Sequence, residues 1–228
     1  MQVGVGKARR GLIAAAVAAG LLTGCADGAQ EDAGASADPS ASASKDAGAA
    51  DGGGTARSGG TIGATGSACE LPVTFDIAEK WTAEAVEGAS GEADGELAEE
   101  VADALLRQGP VTAACEVDAK PAGHIGFLRV FTADPGEDDA RTVLKGFVEA
   151  EVEASKERYG TFEAGGLTGA EVEYLYTSEL LEEPKTERAF AVVTARGPVV
   201  VHLGGMDTAE HEAMLPAYEL AKRTLRGS

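Results

Sequence analysis

Hydrophobic positions are spread very unevenly along this chain. A first apolar run, rich in Ala, Val and Leu, occupies residues 11–22 behind Lys7, Arg9 and Arg10. Residues 26–68 are almost all Ala, Gly, Ser, Asp and Thr, with Ile62 as the one large aliphatic side chain. Periodic patterns begin only after Cys69. Residues 73–77 alternate apolar and polar behind Pro72, which predicts a strand, and residues 81–86 predict a second short one. Leu97, Val101, Ala104 and Leu105 recur at helical spacing, predicting an amphipathic helix over 96–108 that Gly109-Pro110 stops. Residues 111–117 and 124–132 then read as paired strands across a turn at Pro121-Ala122-Gly123. The acids of 134–139 open a second helix with Val143, Leu144, Phe147 and Val148 on its apolar face. Beyond Tyr159-Gly160, residues 171–181, 186–196 and 198–204 are strand-like, the last two joined tightly at Arg196-Gly197. A final helix over 208–225 carries Glu210 and Glu212 early and Lys222 and Arg223 late, with Pro216 expected to kink or break it. Few helices and consecutively pairing strands predict an α+β fold, an antiparallel sheet sandwiched by helices.

The front of the chain reads as an address. Its apolar run is too short for a bilayer span of about 20 residues, but fits the short core of an export signal behind a basic start. Leu22-Thr23-Gly24-Cys25 then looks like a bacterial lipobox, in which Cys25 receives a diacylglyceryl group and residues 1–24 are removed. Residues 25–68 would be the lipidated Cys and a disordered tether, because so little apolar surface cannot offset chain entropy. A coil of that length reaches roughly 35 Å. Residues 69–228 would be the folded domain, held at the outer face of the cytoplasmic membrane through Cys25.

Composition narrows the partners. Across 228 residues, 38 acids face 19 bases for a net charge of −19. Such a chain lacks the basic footprint that neutralises phosphates, so nucleic acid is excluded as a partner. With Cys25 lipidated, Cys69 and Cys115 remain as an even pair in an oxidising compartment, and a disulfide between them would be worth ~4 kcal/mol.

The order of elements resembles the PsbP-like α-β-α sandwich, and within it the LpqN/LpqT type of actinobacterial lipoprotein. The resemblance rests on Leu71-Pro72-Val73-Thr74-Phe75-Asp76-Ile77 leading to Trp81, and on Arg188-Ala189-Phe190-Ala191-Val192-Val193 leading to Val199-Val200-Val201-His202-Leu203. The apolar insert at 97–106 departs from that pattern. The resemblance implies a binding or accessory module, not an enzyme, and it brings no shared catalytic motif.

Candidate chemistry is sparse. There is no Gly-x-Ser-x-Gly elbow in the folded segment, and His211-Glu212 lacks the second His of a zinc protease, Leu215 standing in its place. The Gly-rich 60–66 and 165–169 fit neither a phosphate loop nor a dinucleotide fingerprint. The acids of 134–139 miss the ligand spacing of a calcium loop. No metal site or cofactor is legible, and His202, between Val201 and Leu203, reads as a tucked and satisfied core histidine. Trp81, Tyr174 and Tyr176 are candidates for lining an apolar ligand pocket, although Tyr174 and Tyr176 share a strand face with Val172, as core residues also would. The carboxylate pairs Glu171/Glu173 and Glu182/Glu183 are the candidates for the alternative function, a tethered hydrolase of cell-wall polymers. The favoured reading is a non-catalytic module for an envelope protein or an amphiphilic ligand.

Lipidation has a direct readout. Intact-mass measurement of the chain extracted from membranes should show residues 1–24 missing and a diacylglyceryl group on Cys25; a free thiol there overturns the anchor.

Overall fold

A computed structural model of the chain describes residues 54–86, 105–177 and 183–228. The expected export segment, Cys25, most of the expected tether, the greater part of the helix predicted over 96–108, and Glu182 lie outside the described residues. What is described begins earlier than Cys69. Strand β1 (Ser58–Ile62) pairs antiparallel with β2 (Val73–Ala78), and the C-terminal β11 (Arg226–Gly227) pairs with the other edge of β2. The folded boundary therefore moves from Cys69 back to Ser58. A two-sided hydrophobic pattern is not needed there. Only Ile62 of β1 is buried, and backbone hydrogen bonds to β2 hold the rest.

The main sheet is eight-stranded and antiparallel. Its order is β3 (Thr82–Ala85), β5 (Val111–Asp118), β6 (Gly126–Thr132), β10 (Gly197–Gly205), β9 (Pro184–Thr194), β8 (Leu167–Thr177), β7 (Ala154–Ala164), with β4 (Arg107–Gln108) paired beside β5. Strand β10 is buried at every residue, so its alternate side chains feed two cores. Val199, Val201 and Leu203 pack into one core with Phe75, Trp81, Phe190 and Tyr218, beneath helix α2 (Thr208–Thr224) and β2. Val200 packs into the other with Phe131, Val172 and Tyr174, beneath helix α1 (Ala140–Glu149). The α+β sandwich expected from the sequence is the observed architecture.

Helices α1 and α2 each start on an aspartate. The Asp139 side chain accepts from Thr142 N at 2.7 Å, and Asp207 accepts from Glu210 N at 2.8 Å, satisfying otherwise orphaned first-turn donors. Val143, Leu144, Phe147 and Val148 form the buried face of α1, as their spacing predicts. Helix α2 continues through Pro216 without a break, and the Pro216 carbonyl accepts a hydrogen bond from Ala56 N at 3.0 Å. Among the described residues no helix is long and apolar enough to cross a membrane.

Three stretches differ from expectation for local reasons. Arg107 and Gln108, predicted as the end of a helix, instead pair with Thr112 and Val111 as strand. Strand β7 has no apolar alternation to announce it, since Ser155, Lys156, Glu157 and Arg158 are exposed on an edge. The expected loop 165–169 shrinks to a tight turn at Gly165 and Gly166, whose φ of +57° and +80° suit glycine, and Leu167 onward is strand.

Cys69 and Cys115 form a disulfide with a Cα–Cα distance of 5.9 Å across a sequence separation of 46. It joins the connection between β1 and β2 to β5, and both residues are buried. The C69A/C115A double variant should lose about 2–4 kcal/mol of stability in urea titrations. No loss would mean that non-covalent packing alone pins that connection.

Candidate functional site

The site lies where the sheet outruns helix α1. Val172, Ala189, Val200 and Phe131 share the sheet face beneath α1. Alternation carries that face onward to Tyr174 and Tyr176 on β8, Glu187 and Lys185 on β9, His202 and Gly204 on β10, and Arg129 and Phe127 on β6. The helix ends at Glu149, so this end of the face stays uncovered and forms an open groove of about 1130 Å³. Gly204 lets the Phe127 ring lie against β10: a Cβ there would come within 2.9 Å of it. A volume of this size sits at the upper end of the range for small-molecule sites.

A buried polar cluster forms the inner wall. Glu187 is 3% exposed, a strong signal for a carboxylate. Its Oε1 lies 2.6 Å from Lys185 Nζ, and its Oε2 lies 2.8 Å from His202 Nε2. Tyr174 Oη donates to the same Oε2 at 3.2 Å and is 3.2 Å from His202 Nε2. Burial alone would raise the Glu187 carboxyl, but His202 and then Lys185 outweigh it and bring the pKa down to about 2. Glu187 is therefore ionised and can only accept, which fixes His202 Nε2 as a donor. Burial would lower the His202 pKa; the Glu187 charge, then Glu151, overcomes that and raises it. Burial also lifts Tyr174 well above its usual value.

Glu151 completes the cluster just past the end of α1. Gln108 Nε2 donates to its Oε1 at 2.9 Å, while Oε2 is buried without a hydrogen-bond partner. Burial raises its carboxyl pKa, His202 opposes this, and the Glu187 charge adds to the rise. The rim sets exposed apolar side chains among charged ones such as Lys120 and Glu153. Ile125 is 60% exposed, Val152 89% and Met206 58%, and all three line the groove.

The structure separates the three aromatic candidates. Tyr174 is buried in the core under α1 with its hydroxyl in the polar cluster, and Tyr176 lines the groove, where Lys185 Nζ sits 5.3 Å from its ring centroid. Trp81 faces the opposite core, beneath α2, and takes no part in the groove. Trp81 precedes β3 on the other side of the sheet, which the strand pattern alone does not reveal, and there it lines a separate cavity of about 350 Å³ with Ala78, Met214 and Pro216. His202 is buried and partnered, as its flanking apolar residues suggest. The carboxylate pairs singled out from sequence are engaged elsewhere. Glu171 bonds Lys222 at 2.7 Å, Glu173 pairs with Arg158 and Arg188, and Glu183 is exposed. Glu187 and Glu151 escaped the sequence reading. Pro184-Lys185-Thr186-Glu187-Arg188 looks like a solvated charged stretch, and only the register opposite Tyr174 buries its glutamate.

Comparison with known proteins adds a family and a fold likeness. The pattern of a family described as "Uncharacterised lipoprotein" matches residues 39–225. Among solved structures, the chain is similar to the solution structure of cyanobacterial PsbP (CyanoP) from Synechocystis sp. PCC 6803. Identity is 12% and the TM-score 0.45, over 74% of this chain and 98% of that one. No curated protein matches the chain.

The electrostatics of the cluster set a pH signature. The folded pKa of Glu187 lies below its ordinary value of 4.5, so its contribution is full above pH 4.5 and is lost as pH falls toward 2. The raised His202 acts in the opposite sense, its contribution being full below pH 6.5 and lost as pH rises through its folded pKa. Glu187→Gln should therefore destabilise the domain by about 3 kcal/mol near pH 5–6. Urea titrations should show the gap between wild type and variant shrinking toward both acid and alkaline pH. A gap that does not change with pH would remove the ion pair as its cause.

Proposed function

The chain belongs to the uncharacterised lipoprotein family whose pattern it matches over residues 39–225, and we propose that it is a lipid-anchored, extracytoplasmic binding module that takes an amphiphilic ligand into the groove beyond α1. In this reading Cys25 carries the lipid, the Ala/Gly/Ser/Asp segment lets the domain stand off the outer face of the cytoplasmic membrane, and the acidic surface repels the domain from anionic lipid headgroups. The LpqN/LpqT type named from sequence fits this role.

The observation that carries the proposal is the contrast within one groove. Ile125, Val152 and Met206 expose apolar surface at the rim, and Glu151 presents a buried carboxylate oxygen with no partner at the inner wall. Single exposed apolar residues are ordinary, but three around one concave site with a polar floor match a ligand with a tail and a hydrogen-bonding head.

The hydrolase alternative has one observation in its favour: Glu151, with its raised pKa, stands beside the ionised Glu187. Acid–base hydrolysis needs a second carboxylate free to attack or to activate water. Both oxygens of Glu187 are already engaged by Lys185, His202 and Tyr174, so the binding reading stands ahead of it.

Native mass spectrometry of the full chain with lysophospholipids of graded tail length should reveal a 1:1 adduct. Val152→Glu combined with Met206→Glu should weaken it at least about tenfold, since each apolar side chain removed from contact is worth about 1 kcal/mol or more. Absence of an adduct at every tail length, or equal binding by the variant, overturns the proposal.

A further inference from the structure

Glu151, Glu187 and His202 are distant in sequence, yet one donor atom from each lies within 4.8 Å of the other two. We infer that these three side chains form a binding site for a divalent transition-metal cation, of the Zn²⁺ class, at the inner wall of the groove. The inference shares the Glu151 oxygen with the proposed ligand site, and it is tested with metal alone, in the absence of any amphiphile.

The donor set is one imidazole nitrogen and two carboxylate oxygens. That combination suits Zn²⁺ and its neighbours better than Mg²⁺ or Ca²⁺, which favour oxygen-only shells. Three protein ligands leave a coordination position open, and the groove that all three residues line gives the ion both an entry path and space for a water or ligand atom there.

The surrounding contacts hold two of the three donors in place. Lys185 Nζ occupies Glu187 Oε1 and also donates to Gly205 O at 2.8 Å, so the carboxylate is clamped from one side, and its Oε2 can turn to a cation only as the hydrogen bond from His202 Nε2 is given up. Tyr174 Oη lies 3.2 Å from both Glu187 Oε2 and His202 Nε2, the two donor atoms themselves, and once Nε2 binds a cation it keeps only its hydrogen bond to the carboxylate. Glu151 supplies the observation that most needs explaining. Gln108 holds its Oε1 and the Tyr174 hydroxyl interacts with the carboxyl group, while the buried Oε2 accepts no well-formed hydrogen bond and keeps a lone pair for a cation.

Bonds of about 2.0–2.2 Å place the ligands of a tetrahedral Zn²⁺ roughly 3.4 Å apart. His202 Nε2 and Glu187 Oε2, at 2.8 Å, already stand near that separation. Closing the set requires the Glu151 carboxylate to draw closer to the other two donors, which lie within 4.8 Å of it. On binding, the His202 Nε2–H bond breaks, the nitrogen lone pair goes to the cation, and the proton leaves to solvent. The ordinary electrostatics of the cluster allow this exchange. Two carboxylates against one ammonium leave an excess negative charge, which either that proton or a metal cation can fill.

The test uses the full chain, stripped of metal by chelation and titrated calorimetrically with Zn²⁺, with Mg²⁺ as the comparison. One equivalent of Zn²⁺ should bind and Mg²⁺ should not. Glu151→Gln and His202→Gln should each weaken Zn²⁺ binding at least tenfold. Substituting Co²⁺ should give visible d–d absorption that both variants lose. Glu151→Gln keeps the test decisive if His202→Gln fails to fold, because Glu151 lies outside the helix core and its replacement is isosteric. Absence of Zn²⁺ binding, or equal uptake by the wild type and Glu151→Gln, overturns the inference and assigns any bound metal to surface carboxylates. Neither result bears on the lysophospholipid adduct, whose rim variants leave all three donors intact.

Discussion

A strand buried at every residue sets the terms for this domain. β10 is buried at all its positions, so each residue must satisfy a core above or below it, and the two helices exist in their places to supply those cores. Glycine and valine meet that demand without cost. A histidine does not, because its nitrogens need partners wherever water is excluded. Once His202 occupies this strand, Glu187 and Tyr174 on the neighbouring strands become its obligatory partners, and Lys185 balances the carboxylate they share. The polar cluster is thus a consequence of the central strand as much as an addition to it.

This reasoning explains what the sequence could and could not disclose. Where burial is one-sided and local, the pattern was readable. Val143, Leu144, Phe147 and Val148 give the face of α1, Asp139 its start, and the run from Val199 to Leu203 the central strand. Cys69 and Cys115 were legible because a pair in an oxidising compartment has few alternatives. The edges were not. β1 and β7 are held by backbone hydrogen bonds and expose most of their side chains, so hydrophobic alternation says little about them. Predicted breaks also proved weaker than their context. Pro216 sits within a helix whose packing on β2 and β10 outweighs one missing donor.

The groove illustrates a different limit. Its members come from β4, β6, β8, β9, β10 and the residues after α1, and no window of sequence contains more than a fragment. Tyr174 and Tyr176 pointed toward it because both stand on one strand face. Trp81 did not belong with them, since the face on which a residue falls depends on strand order in the sheet. Glu187 was hidden by its neighbours: Lys185 and Arg188 make it resemble a surface charge, and only register against Tyr174 turns it inward. Site chemistry here is written in pairings between strands.

The disulfide has a mechanical side as well. A pull that enters from the N-terminal end first meets β1, then the connection that follows it, and there Cys69 is tied covalently to Cys115 on β5. Force arriving at that point passes straight into the main sheet, beyond β2 and without peeling it. The carboxyl end lies beside the same small sheet, where Arg226 pairs with Thr74 and Ser228 N donates to Pro72 O at 3.1 Å. The strands that carry tension therefore gather at one end of the chain's path, and detaching β1 would withdraw Ile62 from the core beneath α2 while leaving the groove beyond α1 untouched.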